Sequence, residues 1–347
     1  MSIALIGDIA LSGLISEDKK NNANRYKKVQ KQLENMFVIA NLETPIVSKE
    51  RNEYKTHYLY SDEETTEEIL KMLNIKIVSL ANNHIFDCKI SGVKNTIKLL
   101  EKNNIKYTGA GWLPEHIKPV EFNVNGQRAA FVSYVHCSTN PKTENFSELL
   151  INYFDIEKVE EEVTYLKTLF DYVICSIHWG KDYSFYPTKI QRIYSKRIID
   201  AGANIIMGHH THTIQPVEYY KSGTILYSLG GLTFGDFIWD NELRALKKKT
   251  KKSIIPYFYS LKDKPKFINT CELKGNFIKI IQRDFENWSK RKLKTTRLIH
   301  KYKILEFVIN FYEDKIYRIQ EWLFGYYRNP ITEIFKAKTY KKIKKLF

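Results

Sequence analysis

"IIMGHHTHTIQPVE" (residues 205–218) runs an apolar segment straight into three histidines within four positions, His209, His210 and His212. The apolar part reads as a buried strand. A neutral imidazole is costly to bury without a partner, so three together call for water or for something to coordinate. In an extended segment residues i and i+2 share a face, which would let His210 and His212 serve one site. That spacing makes the pair the firmest single pointer in the chain to a bound cation.

The same construction recurs elsewhere. "SIALI" (2–6) reads as a strand that stops at Gly7-Asp8, and "MFVIA" (36–40) ends at Asn41-Leu42-Glu43. "IKIVSL" (75–80) runs into Ala81-Asn82-Asn83-His84, and "DYVICSIHWG" (171–180) carries His178 at its end. "RAAFVSYV" (128–135) and "TILYSLG" (224–230) complete the strands. Helices are expected at 24–35, at 61–73 with a Ser61/Glu64 capping box, at 91–104 capped by Ser91, and at 156–170. One more follows Pro187 and stops before Gly202. Strand and helix alternate at βαβ spacing, which predicts an α/β protein with a largely parallel sheet or two sheets. Ligands of such sheets bind at the carboxyl ends of the strands. Five strand ends therefore bring Asp8, Asn41/Glu43, Asn83/His84, His178 and the 209–212 histidines toward one edge.

Taken singly, each of these residues has a plainer reading. Asp8 suits a turn or a helix cap, Glu43 a surface loop, Asn82-Asn83-His84 a run of turn formers, and His178 a hydrogen-bonded, half-buried histidine. Their joint placement at strand ends favours a site. Carboxylate, amide and imidazole donors together suit first-row ions of the Mn, Zn or Fe type, whereas a Ca or Mg cage has little use for histidine. The donors outnumber one tetrahedral shell and fit two divalent ions sharing a carboxylate, at about 3.5–4 Å. A neighbouring histidine outside the ligand set could protonate a leaving group.

Charge divides the chain. Residues 241–347 hold 28 of the 55 Lys and Arg but 10 of the 39 Asp and Glu, so the net +16 arises there. The expected organisation is a domain over 1–240 and a basic, mainly helical, aromatic-rich extension over 241–347. The extension could pack an apolar stripe on the core or a second copy, or lie on an anionic membrane surface through 286–347. Nucleic acid ranks below both, because no recognition motif accompanies the charge. Oligomeric state cannot be read. Cys88, Cys137, Cys175 and Cys271 are far apart with no CxxC, which predicts buried, reduced thiols. No signal peptide and no apolar run of membrane-spanning length is visible, so the default location is cytoplasmic, with peripheral attachment at the inner membrane face if the extension binds lipid.

"GDIAL" (7–11), "NLETPI" (41–46), "LANNHIFD" (80–87), "HWG" (178–180), "GHHTHTIQPVE" (208–218) and "YSLGGL" (227–232) resemble the successive signatures of the CapA family of capsule or poly-γ-glutamate synthesis proteins. "GVKNTIKLLEKNNIKYTGAG" (92–111) also fits. That family is similar to the calcineurin-like metallophosphoesterases, which implies a four-layer α/β/β/α sandwich. The resemblance implies metal ligation by Asp8, Glu43 (bridging), Asn83, His178, His210 and His212. It also implies His84 as the leaving-group acid, with Asp87 orienting it or a ligand. His209 is left over with a supporting or substrate-facing role, and Asn41 and Gln215 are further supporting candidates. Two departures stand out: Ala10 occupies the place of a usual histidine, and Gly231 that of an amide side chain. The expected function is a di-metal hydrolase of phosphate esters or similar anionic bonds in surface-polymer synthesis, acting on an anionic polymer or phosphorylated precursor. The alternative is a weakly catalytic or non-catalytic component of a membrane-associated assembly that binds such a polymer or precursor.

Overall fold

The chain is described by a computed structural model over residues 1–47, 59–139, 149–234, 237–239, 242–244, 250–302, 305 and 309. The first half contains β1 (Ser2–Ala10), α1 (Leu14–Glu17), α2 (Asn22–Leu33), β2 (Met36–Leu42), α3 (Glu63–Met72) and β3 (Ile75–Ser79). It continues with α4 (Lys89–Lys102), β4 (Lys106–Thr108), β5 (Ala110–Gly111), β6 (Val120–Val124), β7 (Gln127–Val135) and β8 (Leu150–Ile151). The second half holds α5 (Ile156–Leu169), β9 (Tyr172–His178), α6 (Lys189–Asp200), β10 (Ile205–His209), β11 (Val217–Tyr220), β12 (Gly223–Leu226) and β13 (Gly231–Phe234). There follow β14 (Phe237–Trp239), β15 (Glu242–Arg244), β16 (Lys252–Phe258), β17 (Lys266–Glu272), β18 (Ile278–Ile280) and α7 (Phe285–Lys301).

Two sheets form the centre. The first has the order β18-β17-β16-β1-β2-β3-β4, with β13 also pairing β1. Its β1–β4 ladders are parallel and its β16–β18 ladders antiparallel. The second runs β11-β12-β10-β9-β7-β6, parallel inside and antiparallel at both edges. β1 reads as an unbroken apolar run because both of its faces are covered. Ile3 and Leu5 meet Phe131, Ile174 and Met207 between the sheets. Ala4 and Ile6 face Tyr26, Ile69 and Val93 of α2, α3 and α4. On the far side Val173 and Ile206 pack on Val163 of α5 and Ile198 of α6. The layers are α/β/β/α, as the family resemblance implied.

The charge boundary at residue 240 does not coincide with a structural one. β16 pairs β1 directly, Ile3 opposite Phe258, so residues 252–280 complete the first sheet instead of forming a helical appendage. Among the described residues of 241–284 the long regular elements are strands, and α-helix begins with α7. α7 packs inward through Phe285, Ser289, Thr296 and Ile299. Ser289 Oγ accepts from Val217 N–H (2.7 Å), and Arg297 reaches the buried Glu218 (3.2 Å). Lys290, Arg291, Lys294 and Lys301 point outward. Of the expected membrane-facing stretch, residues 310–347 lie outside the described residues. Among the described residues no helix is long and apolar enough to cross a membrane.

Local expectations also shift. The cap of α3 is Asp62, which accepts from Thr65 N–H, in place of Ser61. α4 starts at Lys89, ahead of Ser91, and Cys88 at its cap position makes no side-chain cap bond. α6 carries a capping box of Thr188 and Gln191. Cys88 and Cys175 are buried, whereas Cys137 is exposed and Cys271 half-buried, so only two of the four thiols match the expectation.

β17 ends on Glu272, a buried carboxyl that accepts from Asn276 Nδ2 (2.9 Å), Thr233 Oγ1 (3.2 Å) and Phe234 N–H (3.3 Å). Burial raises its pKa to about 7 against the pull of those donors and of Lys251. A folded pKa above the unfolded one contributes stability that is complete below 4.5 and lost as pH rises through about 7. Titration of this one group should cost on the order of 3 kcal/mol between pH 4.5 and 8. Glu272→Gln should flatten that slope in urea unfolding. Parallel slopes for the two proteins would reject this account.

Candidate metal centre

The site lies where the carboxyl ends of both sheets meet. The β1–β2 ladder slips by one residue between Ile6 and Asp8. Ile6 and Ile9, three positions apart, both face the outer core. The slip therefore changes the alternation and turns Asp8 toward the second sheet, a common use of a bulge beside a functional site. Gly7 precedes it because a Cβ there would stand 1.9 Å from the Gly230 carbonyl oxygen. Gly208, before His209, is equally constrained by the Tyr227 carbonyl at 1.9 Å.

Register then sets the neighbours. Asp8 lies beside Asn41, whose Nδ2 donates to Asp8 Oδ1 (2.9 Å). His178 lies beside His209 on the inner face, with rings 6.4 Å apart. Glu43 follows β2, anchored by its N–H to the Ile9 carbonyl (2.9 Å). Its carboxylate is fully buried, 3.7 Å from His178 Nε2 and 4.0 Å from His212 Nε2, and neither oxygen has a hydrogen-bond partner. His178 Nε2–H donates to Asn83 Oδ1 (2.8 Å), and its Nδ1 faces the Asn41 amide (3.4 Å).

Beyond His209 the backbone leaves the extended state, with φ of 86° at His210 and 51° at His212. The i, i+2 argument for one shared face therefore fails, because it holds only in a strand. His212 swings to Asp8, Nδ1 to Oδ2 at 3.2 Å. His210 turns its Nε2 to Asp182 (3.3 Å), while its backbone N–H donates to Asp8 Oδ2 (3.3 Å). Its ring stays 5.0 Å from that of His178. His84 forms a dyad with Asp87 (Nδ1 to Oδ2, 2.7 Å), and Asp87 is held by Leu59 N–H (2.9 Å). Gln215 is buried and donates to the Ser184 carbonyl (3.0 Å), holding the loop between β9 and α6.

Ligand atoms of Asp8, Glu43 and His212 lie within 4.8 Å of one another. Burial pushes Asp8 up, but the contacts and charges of His209 and His212 outweigh it, so its pKa falls well below the usual range. Glu43, lacking such partners, is driven well above the usual range by burial and then by the charges of Asp8, Asp182 and Asp87. Burial holds His178 well below its ordinary value and lowers His210 to about 4. Buried polar atoms are normally paired. Here both Glu43 oxygens, both His209 nitrogens, and Nδ1 of His210 and His212 have no hydrogen-bond partner. A divalent cation would satisfy them, and the oxygen–imidazole donor set suits one.

Three residues escaped the sequence reading. Asn82 donates to the Leu42 carbonyl (2.8 Å) and accepts from His84 N–H (3.1 Å), which fixes the loop carrying Asn83. Asp182 orients His210. Tyr183 sits over His212 with ring centres 6.1 Å apart. Asp182 and Tyr183 gave one faint signal, their position shortly after His178.

Residues 2–236 match the family described as bacterial capsule synthesis protein PGA_cap. The capsule biosynthesis protein CapA of Bacillus anthracis is 30% identical over 246 residues, 67% of this chain and 60% of that protein. The PGA biosynthesis protein CapA of Bacillus subtilis is 28% identical over 246 residues, 67% of this chain and 63% of that one. The match thus spans under two thirds of either relative. Among solved structures, a hypothetical protein from Thermus thermophilus aligns with TM-score 0.46 and 14% identity, covering 81% of this chain and 100% of that one. The NAD nucleotidase of Haemophilus influenzae aligns with TM-score 0.45 and 12% identity, covering 85% and 62%. With its signatures in order and its first 236 residues matched almost throughout, the chain belongs to the bacterial capsule synthesis protein PGA_cap family.

Proposed function

We propose that this chain is a metal-dependent hydrolase of phosphate esters or chemically similar anionic bonds, serving synthesis of a capsule or poly-glutamate-type surface polymer from the cytoplasmic side of the membrane. The observation that supports it best is the Glu43 carboxylate, buried without a hydrogen-bond partner between His178 and His212. The names of the two Bacillus relatives support the pathway.

Asp8, Glu43, Asn83, His178, His210 and His212 would hold two divalent ions. When bound, such ions supply Lewis acidity and a nucleophile at neutral pH. The protein's own contribution is positional. Asn41 and the His210 N–H fix the Asp8 carboxylate, and Asp182 fixes the His210 ring. His84 is partly exposed and held by Asp87 through Nδ1, so its Nε2 can pass a proton to the leaving oxygen of an anionic substrate.

A second reading, an assembly component that binds polymer or precursor without turnover, draws on Ala10. It is fully buried beside Phe234 and Leu59 and brings no donor. Hydrolysis of a nitrophenyl phosphate mono- or diester with added Mn²⁺ separates the two. His84→Ala should lower kcat by about 10²–10⁴-fold with ion content unchanged, and Asp87→Asn by about 10–100-fold. Turnover unaffected by His84→Ala, or absent in metal-replete wild type, would reject the catalytic reading.

A further inference from the structure

We propose that His209 is itself a metal ligand, completing the Asp8 end of the centre from the second sheet. The proposal rests on the metal-binding reading above.

The strand places it. His209 is the last residue of β10, and Ile205 and Met207, four and two positions earlier, lie in the inter-sheet core. Period-two alternation therefore sends His209 inward, beside His178. Its ring is buried at 1% exposure. Nδ1 stands 3.2 Å from Asp8 Oδ1 but off the hydrogen-bond direction, and Nε2 has no partner. A neutral imidazole carries one donor and one acceptor, and leaving each buried and unpaired is destabilising. A core histidine held for packing alone would gain nothing from that placement.

Asp8 shows the same pattern from its side. His209 Nδ1 faces Oδ1 and His212 Nδ1 faces Oδ2, both at 3.2 Å, and neither nitrogen makes a hydrogen bond. Two imidazoles thus flank one carboxylate. Ala10 follows Asp8 on the same face of β1 and offers only a methyl group. β10 supplies the missing imidazole across the gap. Asp8 and His209 then offer one oxygen and one nitrogen donor at the edge of the Asp8–Glu43–His212 group, whose ligand atoms lie within 4.8 Å of one another.

The test is ion counting on the full chain, stripped with chelator and re-equilibrated with Mn²⁺, with bound metal measured per chain. His209→Phe keeps a ring and removes both nitrogens, and its bound Mn²⁺ should fall by one ion per chain. His209→Gln is the second variant, should the first fail to give a cooperative melt in chelator. In ¹¹³Cd-loaded, ¹⁵N-histidine-labelled wild type, a ¹¹³Cd–¹⁵N coupling to the His209 ring should be present, which a merely structural histidine would not show. Wild type that binds no divalent ion would reject the metal-binding reading itself. Wild-type stoichiometry in both variants, or no coupling at His209 while other histidines show one, would overturn the His209 assignment and leave the centre standing.

Discussion

Replacing Glu43 by glutamine should raise the unfolding temperature of the metal-free protein and abolish the further rise that a divalent cation produces. The glutamate is fully buried, its oxygens are unpaired, and it feels the charge of the buried Asp8. Without a cation it is either ionised at a desolvation cost or protonated through its raised pKa. The amide is neutral, of nearly the same shape, and relieves both penalties. An unsatisfied buried polar group costs about 1–3 kcal/mol and a charged one more, so removing the charge should gain on the order of 1 kcal/mol. In a chain of this size each kcal/mol is worth roughly 1–2 °C. Wild type should in turn gain about 2.7 kcal/mol when Mn²⁺ stands at a hundred times its dissociation constant. Opposite signs in chelator and in Mn²⁺ are the signature of a group retained for function. A variant that melts lower in chelator and still responds fully to Mn²⁺ would show that Glu43 serves the fold instead.

A chain ending at residue 240 should fail to fold, whereas one ending at residue 302 should melt cooperatively. The shorter chain loses β16–β18 and α7, and with them buried Ile254, Ile255, Phe258, Ile268, Ile278 and Phe285. At roughly 1.5–3 kcal/mol per buried side chain, the loss is on the order of 10 kcal/mol. Typical domain stability is about 5–15 kcal/mol, so little or none would remain. It also strips β1 of its antiparallel neighbour and leaves a long apolar edge open to aggregation. Solubility and differential scanning calorimetry of the two chains decide the matter. A soluble 1–240 chain with a cooperative transition would restore the boundary expected from charge.

Much of the fold was legible because its central strands are covered on both faces and so appear as apolar runs. The convergence of Asp8, Glu43, Asn83 and His178 followed from the general rule that strand carboxyl ends build sites. β16–β18 were obscured by lysines. Lys252, Lys266 and Lys279 point to solvent while their strand neighbours are buried or partly buried, and the charge total masked the alternation. The positive φ at His210 and His212 could not be read, since residues other than glycine seldom adopt it and no local pattern marks it. Nor could the one-residue slip at Asp8 or the partnership of Asp182 with His210, because both depend on segments far apart in sequence.

The position of β1 has a consequence for biosynthesis. Its ladder partners come from residues 36–42, 231–234 and 257–258, so a strand made early is among the last to be fully flanked. At about 5–20 residues per second, tens of seconds separate its emergence from the ribosome from that of its final neighbour. Throughout that interval Asp8 is exposed to the cellular metal pool on an incomplete scaffold, and the nascent chain needs protection from premature association until β16 appears.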